Sequence, residues 1–172
     1  MAKNLKILIF PDPRLRKVAE KVIKFDKSLE NLANSMLKTM YDANGIGLAA
    51  TQIDQHIRLI VMDLSEERNE PRIFINPTYK VLEDHSLYEY EEGCLSIPGM
   101  LGLVRRFSKI KYSGYDLQGN KITNTAEGTH ARIVQHEFDH LNGILYTSRL
   151  THKDAFGYAD EIEQYWKKNE EK

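Results

Sequence analysis

The sequence predicts a single α+β domain over residues 1–172, with antiparallel strands arranged in meanders and a helix at the C-terminal end. Three segments space their apolar residues as helices do, and the chain between the first two carries short apolar runs separated by turn-forming residues. No repeat, low-complexity tract or long linker divides the 172 residues. These observations together favour one domain of mixed class.

The first helix is predicted over residues 26–41, with Asp26 and Ser28 as candidate N-terminal caps. Its apolar residues recur at spacings of three, four and seven: Leu29, Leu32, Met36, Leu37 and Met40. Residues 44–52 are rich in glycine and predict a loop, and residues 57–63 then predict a short buried strand.

Further strands are predicted around residues 72–75, 79–82 and 86–91. Residues 104–125 predict a hairpin, because Ile110 and Tyr112 alternate with lysines before the turn-forming Gln118-Gly119-Asn120. Strands joined by such short turns pair in antiparallel fashion.

Two more helices complete the predicted fold. The second runs from about Thr129 to Leu141 and ends at Asn142 and Gly143, residue types that accept the left-handed conformation. The third is predicted to begin near Thr151, which forms a candidate capping box with Asp154. Apolar residues follow along one side of it: Phe156, Ala159, Ile162 and Trp166.

Composition excludes several classes of function. The 24 basic and 25 acidic residues give a net charge of −1, without the basic surplus that binds phosphate backbones, so nucleic acid is not the expected ligand. No apolar run approaches the roughly 18 residues of a membrane span. The short apolar stretch at residues 5–10 meets Pro11 where a signal peptide would have its cleavage site, so we expect a cytoplasmic protein.

The segment His136-Glu137-Phe138-Asp139-His140 predicts a metal site on the second helix. Residues four apart on a helix differ by about 40° in direction, so both imidazoles can meet one ion. Glu137 points roughly 100° away and can border a metal-bound water without ligating the metal, as a general base requires. Solvated surface histidines are the alternative, but the helix also carries apolar residues: Ile133, Val134, Phe138 and Leu141.

A catalytic site of this type takes a third protein ligand and leaves one position open. Cys94, the single cysteine, is the favoured candidate, because a thiolate is a strong ligand for soft divalent metals and Gly93 allows close backbone approach. An isolated cysteine can also be a small buried hydrophobe. Spacing alone leaves Glu161 or Glu163 open as the third ligand instead.

Residues 45–50 fit the loose dinucleotide-binding pattern G-x-G-x-x-A, but the context is wrong for that function. A helix precedes the segment and a strand follows it, the reverse of the order that the motif requires. The segment is better interpreted as a loop whose backbone approaches a ligand, followed by Gln52 as an amide donor. An ordinary tight turn is the alternative.

Three segments, residues 45–52, 92–96 and 135–140, closely resemble the signature motifs of peptide deformylases, in the same order. Residues 11–16 also resemble that family, and the resemblance spans roughly residues 7 to 150. It implies a fold in which antiparallel sheets surround a central helix that carries the metal-binding histidines.

The resemblance implies that the protein removes the formyl group from the N-terminal formylmethionine of new polypeptides and releases formate. A metal-bound hydroxide would attack, with Glu137 as general acid and base. The Gln52 amide and the backbone N–H of Leu95 would stabilise the oxyanion. By motif position, the metal ligands would be Cys94, His136 and His140.

The same resemblance implies contacts with the substrate and a choice of metal. Ile46, Gly47 and Gly93 would line the peptide in a strand-like pose, with Leu95 and Ile133 near the methionine pocket. The cofactor would be one divalent metal, Fe²⁺ in the cell, with Zn²⁺, Ni²⁺ or Co²⁺ as substitutes. The partners would be N-formylmethionyl nascent peptides at the ribosome, and the protein would be a monomer.

Two positions depart from the family pattern: Leu101 stands where many members have arginine, and Arg105 where proline is common. Three other functions stay open from the residues themselves. A metalloendopeptidase could use the same helix, and a cysteine hydrolase could use Cys94 as nucleophile with His136 as its base. A structural metal module would need a fourth ligand such as His130 or His152.

Overall fold

The structure, a computed structural model, describes residues 2–170. Within that range, no helix is both long and apolar enough to cross a membrane. The helices and strands follow one another in this order: α1 (Lys27–Asp42), β1 (Gly47–Ala49), β2 (Leu59–Met62), β3 (Arg72–Val81), β4 (Leu87–Cys94), β5 (Ile97–Phe107), β6 (Lys109–Tyr115), β7 (Lys121–Glu127), α2 (Gly128–Leu141), β8 (Phe156–Tyr158) and α3 (Ala159–Glu170).

The strands form two sheets with antiparallel pairing throughout. The larger sheet has the order β1-β2-β3-β6-β7, and the smaller has the order β4-β5-β8. Helix α2 contacts β1 and β7 of the larger sheet and β5 of the smaller one. The predicted class, an α+β domain with antiparallel sheets around a central helix and a C-terminal helix, is confirmed.

Helix α1 forms as its apolar spacing predicts. The Asp26 side chain caps it by accepting from the backbone N–H of Leu29 at 3.0 Å. The face that carries Met36 and Met40 is fully buried against β2 and the segment that leads into it. Burial of this face, more than helix propensity, holds α1 in place.

Helix α2 also ends where the sequence predicts. Asn142 is its C-terminal cap, and Gly143 follows with a φ angle of 71°. Nine of the fourteen residues of α2 are buried, including both histidines of the motif, because sheets cover the helix from more than one side. The polar cluster of the motif is therefore not a solvated surface.

Three predicted boundaries were wrong. The strands expected at 72–75 and 79–82 are one strand, β3, whose pairing with β6 is irregular around Asn76. The loop expected at 44–52 contains β1, which pairs with β2. Helix α3 begins at Ala159 and not near Thr151, because the backbone of Thr151 and Ala155 is hydrogen-bonded to Leu103 of β5. Long-range strand contacts override the capping pattern there.

Candidate active site

Three side chains that could bind a metal ion meet between α2 and the end of β4. His140 Nε2 lies 3.2 Å from His136 Nε2 and 3.3 Å from Cys94 Sγ, and the three ligand atoms all lie within 4.8 Å of one another. Ligands around one tetrahedral zinc-type ion are separated by about 3.3–3.6 Å, given its bond lengths of about 2.0–2.3 Å. The three residues therefore fit a single divalent ion.

A buried carboxylate orients one of these three side chains. Glu92 Oε1 lies 2.6 Å from His136 Nδ1, which leaves the Nε2 atom of His136 turned toward the other two ligand atoms. Arg106 donates two hydrogen bonds to Glu92, at 2.8 and 2.9 Å. Burial disfavours the charged carboxylate, but the bonds from Arg106 and His136 outweigh it and lower the pKa of Glu92 to about 2.

Arg106 also connects the site to a second carboxylate, which lies on α2. Arg106 Nη1 donates to Asp139 Oδ2 at 2.7 Å, and Arg149 holds the same carboxylate through two donors. Asp139 belongs to the His-x-x-x-His segment, so this chain of ion pairs fixes the turn of α2 between the two histidines. The side chains of Glu92, Arg106 and Asp139 are at most 5% exposed, which makes their pairing obligatory.

Glu137 lies beside the three ligands with unused hydrogen-bonding capacity. It is buried, and its Oε2 atom has no hydrogen-bond partner among residues 2–170. Burial raises the pKa of Glu137 to about 7, with the positive charge of His136 opposing the shift. A Cβ atom at Gly47 would lie only 2.7 Å from Glu137 Oε1, so the absence of a side chain at Gly47 makes room for this carboxylate.

Gln52 lies next to Cys94, in a short 3₁₀ helix over Ala50–Ile53. Its Oε1 atom accepts from the Ala49 backbone N–H at 2.9 Å, which fixes the orientation of the amide. Its Nε2 atom then donates to Ser96 Oγ at 3.1 Å and lies 3.5 Å from Cys94 Sγ. A fixed amide donor therefore faces the Cys94 thiol.

A cleft of about 650 Å³ opens over these groups. Nine of the ten residues that the sequence predicted for the site line it: Ile46, Gly47, Gln52, Gly93, Cys94, Leu95, Ile133, His136 and Glu137. His140, the tenth, is buried and does not line the cleft, but its ligand atom lies within 4.8 Å of those of Cys94 and His136. Of the two departures from the family pattern, Leu101 lines the cleft, whereas Arg105 is exposed and pairs with Glu89 at 3.3 Å.

The alternative metal ligands are engaged elsewhere. Glu161 accepts from the Tyr158 backbone N–H, and Glu163 pairs with Lys167 along α3. His130 Nε2 lies 2.8 Å from the Tyr112 hydroxyl. Groups of at least three histidine, cysteine, aspartate or glutamate side chains could hold a metal ion. Among residues 2–170 there is one such group, formed by Cys94, His136 and His140.

Sequence reasoning missed the buried residues that support the ligands. Glu92, Arg106 and Asp139 come from three different elements, and nothing local in the sequence brings them together. One clue was available for Arg106. It lies two residues after Val104 on β5, so both side chains point to the same, buried face of the strand. A charged residue at such a position indicates a buried partner.

A cleft that combines three candidate metal ligands with a buried carboxylate and a fixed amide donor has the features of a metal-dependent hydrolase. Comparison with known proteins then narrows this class. Residues 4–156 match the family model for polypeptide deformylase, and the chain belongs to that family.

Individual relatives agree along most of the chain. The peptide deformylase of Psychrobacter cryohalolentis is 45% identical over 163 residues, covering 95% of this chain and 88% of that protein. The crystal structure of peptide deformylase from Thermotoga maritima is 39% identical, with a TM-score of 0.82 over 87% of this chain and 99% of that one. The Synechococcus elongatus enzyme, solved in complex with actinonin, is 36% identical with a TM-score of 0.83, over 98% of this chain and 87% of that one.

Proposed function

We propose that this chain removes the formyl group from the N-terminal formylmethionine of newly made polypeptides and releases formate. The observation that carries the proposal is that one cleft holds the Cys94 thiol, the Gln52 amide 3.5 Å from it and the buried carboxylate of Glu137. In this proposal the ion is held by Cys94, His136 and His140, whose ligand atoms lie within 4.8 Å of one another.

Glu137 acts as general base and then as general acid. A bound divalent ion lowers the pKa of a water ligand to near 7 and polarises a carbonyl oxygen. Glu137, with its pKa raised to about 7 by burial, takes a proton from the attacking water. The oxygen of that water attacks the formyl carbon. As the C–N bond then breaks, Glu137 delivers the proton to the leaving amine, and formate is released. One residue thus serves both proton transfers.

Gln52 and the backbone N–H of Leu95 stabilise the charge that develops on the formyl oxygen. The support for Gln52 is its orientation, because the bond from the Ala49 N–H holds its amide nitrogen toward Cys94. A donor that is already in place need not reorganise as the oxyanion forms. Leu95 follows Cys94 directly and lines the same cleft.

The peptide lies in the cleft as an added strand. Gly47 belongs to β1 and Gly93 to β4, and these are edge strands of the two sheets. Edge strands that border one cleft offer backbone N–H and C=O groups to an extended peptide. Ile46 flanks this path, while Leu95 and the buried Ile133 border the space for the methionine side chain.

We propose that the bound metal is Fe²⁺ in the cell and that Zn²⁺, Ni²⁺ or Co²⁺ can replace it. One thiolate and two imidazoles suit all four ions. Anaerobic ferrous reconstitution is expected to raise activity above that of protein purified in air. We further propose a cytoplasmic monomer that acts on nascent peptides at the ribosome, where this substrate arises.

The proposal is tested by measuring formate release from a formyl-Met tripeptide, with and without a chelator. We expect the chelator to abolish formate release and added Fe²⁺ to restore it. Release that persists in the metal-free protein would instead favour Cys94 as a nucleophile. Cleavage of casein at internal bonds, without formate release, would favour an endopeptidase.

A further inference from the structure

The loop between β2 and β3, residues 63–71, is built around one buried carboxylate. Asp63 accepts hydrogen bonds from the Ser65 backbone N–H at 2.9 Å and the Ser65 hydroxyl at 2.6 Å. The Glu70 backbone N–H and the Tyr41 hydroxyl add two more, at 3.1 and 2.6 Å. Burial opposes the charge, but these donors lower the pKa of Asp63 to about 2. The loop is thus closed on itself and tied to α1.

This loop also forms hydrogen bonds to residues 45–47, which form the glycine-rich wall of the cleft. The guanidinium of Arg68 donates to the backbone oxygen of Gly45 and lies over the Tyr41 ring, 5.2 Å from its centroid. The Asp63 backbone N–H donates to the Ile46 oxygen at 3.0 Å. Two consecutive carbonyls, those of Gly45 and Ile46, are therefore fixed by the loop, and both residues line the cleft.

We propose that Arg68 is a positioning residue for substrate binding, acting through the Gly45 carbonyl. The inference rests on the proposed function, in which the peptide runs along residues 45–47. Two glycines in three residues give this wall a large conformational freedom, which a bound peptide would have to remove. The charge-assisted hydrogen bond from Arg68 removes this conformational freedom before the peptide binds. Arg68 does not touch the reacting atoms.

The test compares Arg68→Ala with Arg68→Lys in the metal-loaded enzyme. For Arg68→Ala we expect KM for a formyl-Met tripeptide to rise about tenfold, with kcat within about twofold and metal content unchanged. Arg68→Lys keeps one charged donor and should recover part of the KM. A rise confined to KM is not what a general loss of folded protein produces, since that loss lowers the apparent kcat.

Arg58→Ala is the matched control. Arg58 has the same kind of contacts, over the Phe138 ring at 5.4 Å and to the Leu141 backbone oxygen at 3.3 Å. Neither of these contacted residues lines the cleft, whereas Gly45, which Arg68 contacts, does. We expect it to lower thermal stability and leave KM unchanged. An equal rise of KM in Arg58→Ala would overturn the specific role of Arg68.

Hydrogen exchange separates this inference from the proposed function, because it needs no substrate. Arg68→Ala should accelerate amide exchange in a peptide covering residues 44–49 and leave α2 unaffected. Unchanged exchange in residues 44–49 would overturn the inference even in an active enzyme. Absence of formate release by the wild type would contradict the proposed function. Faster exchange in the variant would still show that Arg68 restrains residues 44–49.

Discussion

The two walls of the cleft are built in different ways. On one side, α2 and the end of β4 present side chains, and buried ion pairs through Glu92 and Arg106 hold them. On the other side, residues 45–47 present mainly backbone, and hydrogen bonds to their carbonyl oxygens hold them. Side chains on regular elements place charge precisely, whereas backbone at a sheet edge can bind any peptide. The candidate metal ligands and the backbone of residues 45–47 are thus supported separately.

The largest expected effect comes from Glu137→Gln, on the side-chain wall. The amide keeps the shape of the carboxylate but cannot accept the proton of the attacking water, so kcat should fall by at least about 10²-fold. Metal content should stay at the wild-type value, because Glu137 is not among the proposed ligands. Formate release and plasma mass spectrometry on the same sample check both. Near-normal turnover would rule out the assigned role.

Gln52→Leu tests the donor that faces Cys94. Losing one oxyanion donor should lower kcat by about 10²-fold and change KM little, because the interaction strengthens as charge develops. Ser96→Ala is the matched control: it removes the hydroxyl that the Gln52 amide contacts at 3.1 Å and leaves the donor. That variant should retain most of its kcat. A defect of Gln52→Leu confined to KM would make Gln52 a binding residue.

Glu92→Gln tests whether the buried ion pairs set the affinity for the metal. Loss of the carboxylate weakens the orientation of His136 and leaves Arg106 with one acidic partner, so metal affinity should fall by about 10-fold or more. Stability should fall by roughly 3 kcal/mol, as for a broken buried pair. Competition with a chromogenic chelator measures the affinity.

Arg149→Ala is the control for Glu92→Gln, because Arg149 pairs with Asp139 at the more exposed end of the same network. Its metal affinity should stay within about twofold of the wild type. Equal losses of affinity in the two variants would show that the network acts as a whole and not through His136.

The sequence predicted the residues that line the cleft better than the contacts that hold them. The His-x-x-x-His spacing and the apolar residues around it are local, so the position of α2 and its cap at Asn142 followed from them. The ion pairs of Arg106 join three elements distant in sequence, and no local pattern contains that information. The same is true of Arg68, whose contact with Gly45 spans 23 residues.

The start of α3 shows the same limit in the fold. Thr151 and Asp154 have the spacing of a capping box, but the backbone N–H of Thr151 pairs with the Leu103 oxygen of β5. A strand, β8, therefore precedes the helix, and the helix begins at Ala159. Competition between a local cap and a distant strand depends on packing that a single sequence does not display.

The most direct test of the proposed mechanism is a metal titration of apo-protein, with formate release as the readout. For the wild type, activity should rise to a plateau at one equivalent of divalent metal per chain. Cys94→Ser should bind metal more weakly, because a hydroxyl is a harder and far less acidic ligand than a thiol. At limiting metal it should therefore stay nearly metal-free and inactive. Equal metal content in the two proteins would remove Cys94 from the ligands, and full activity of the apo-protein would contradict a metal-dependent mechanism.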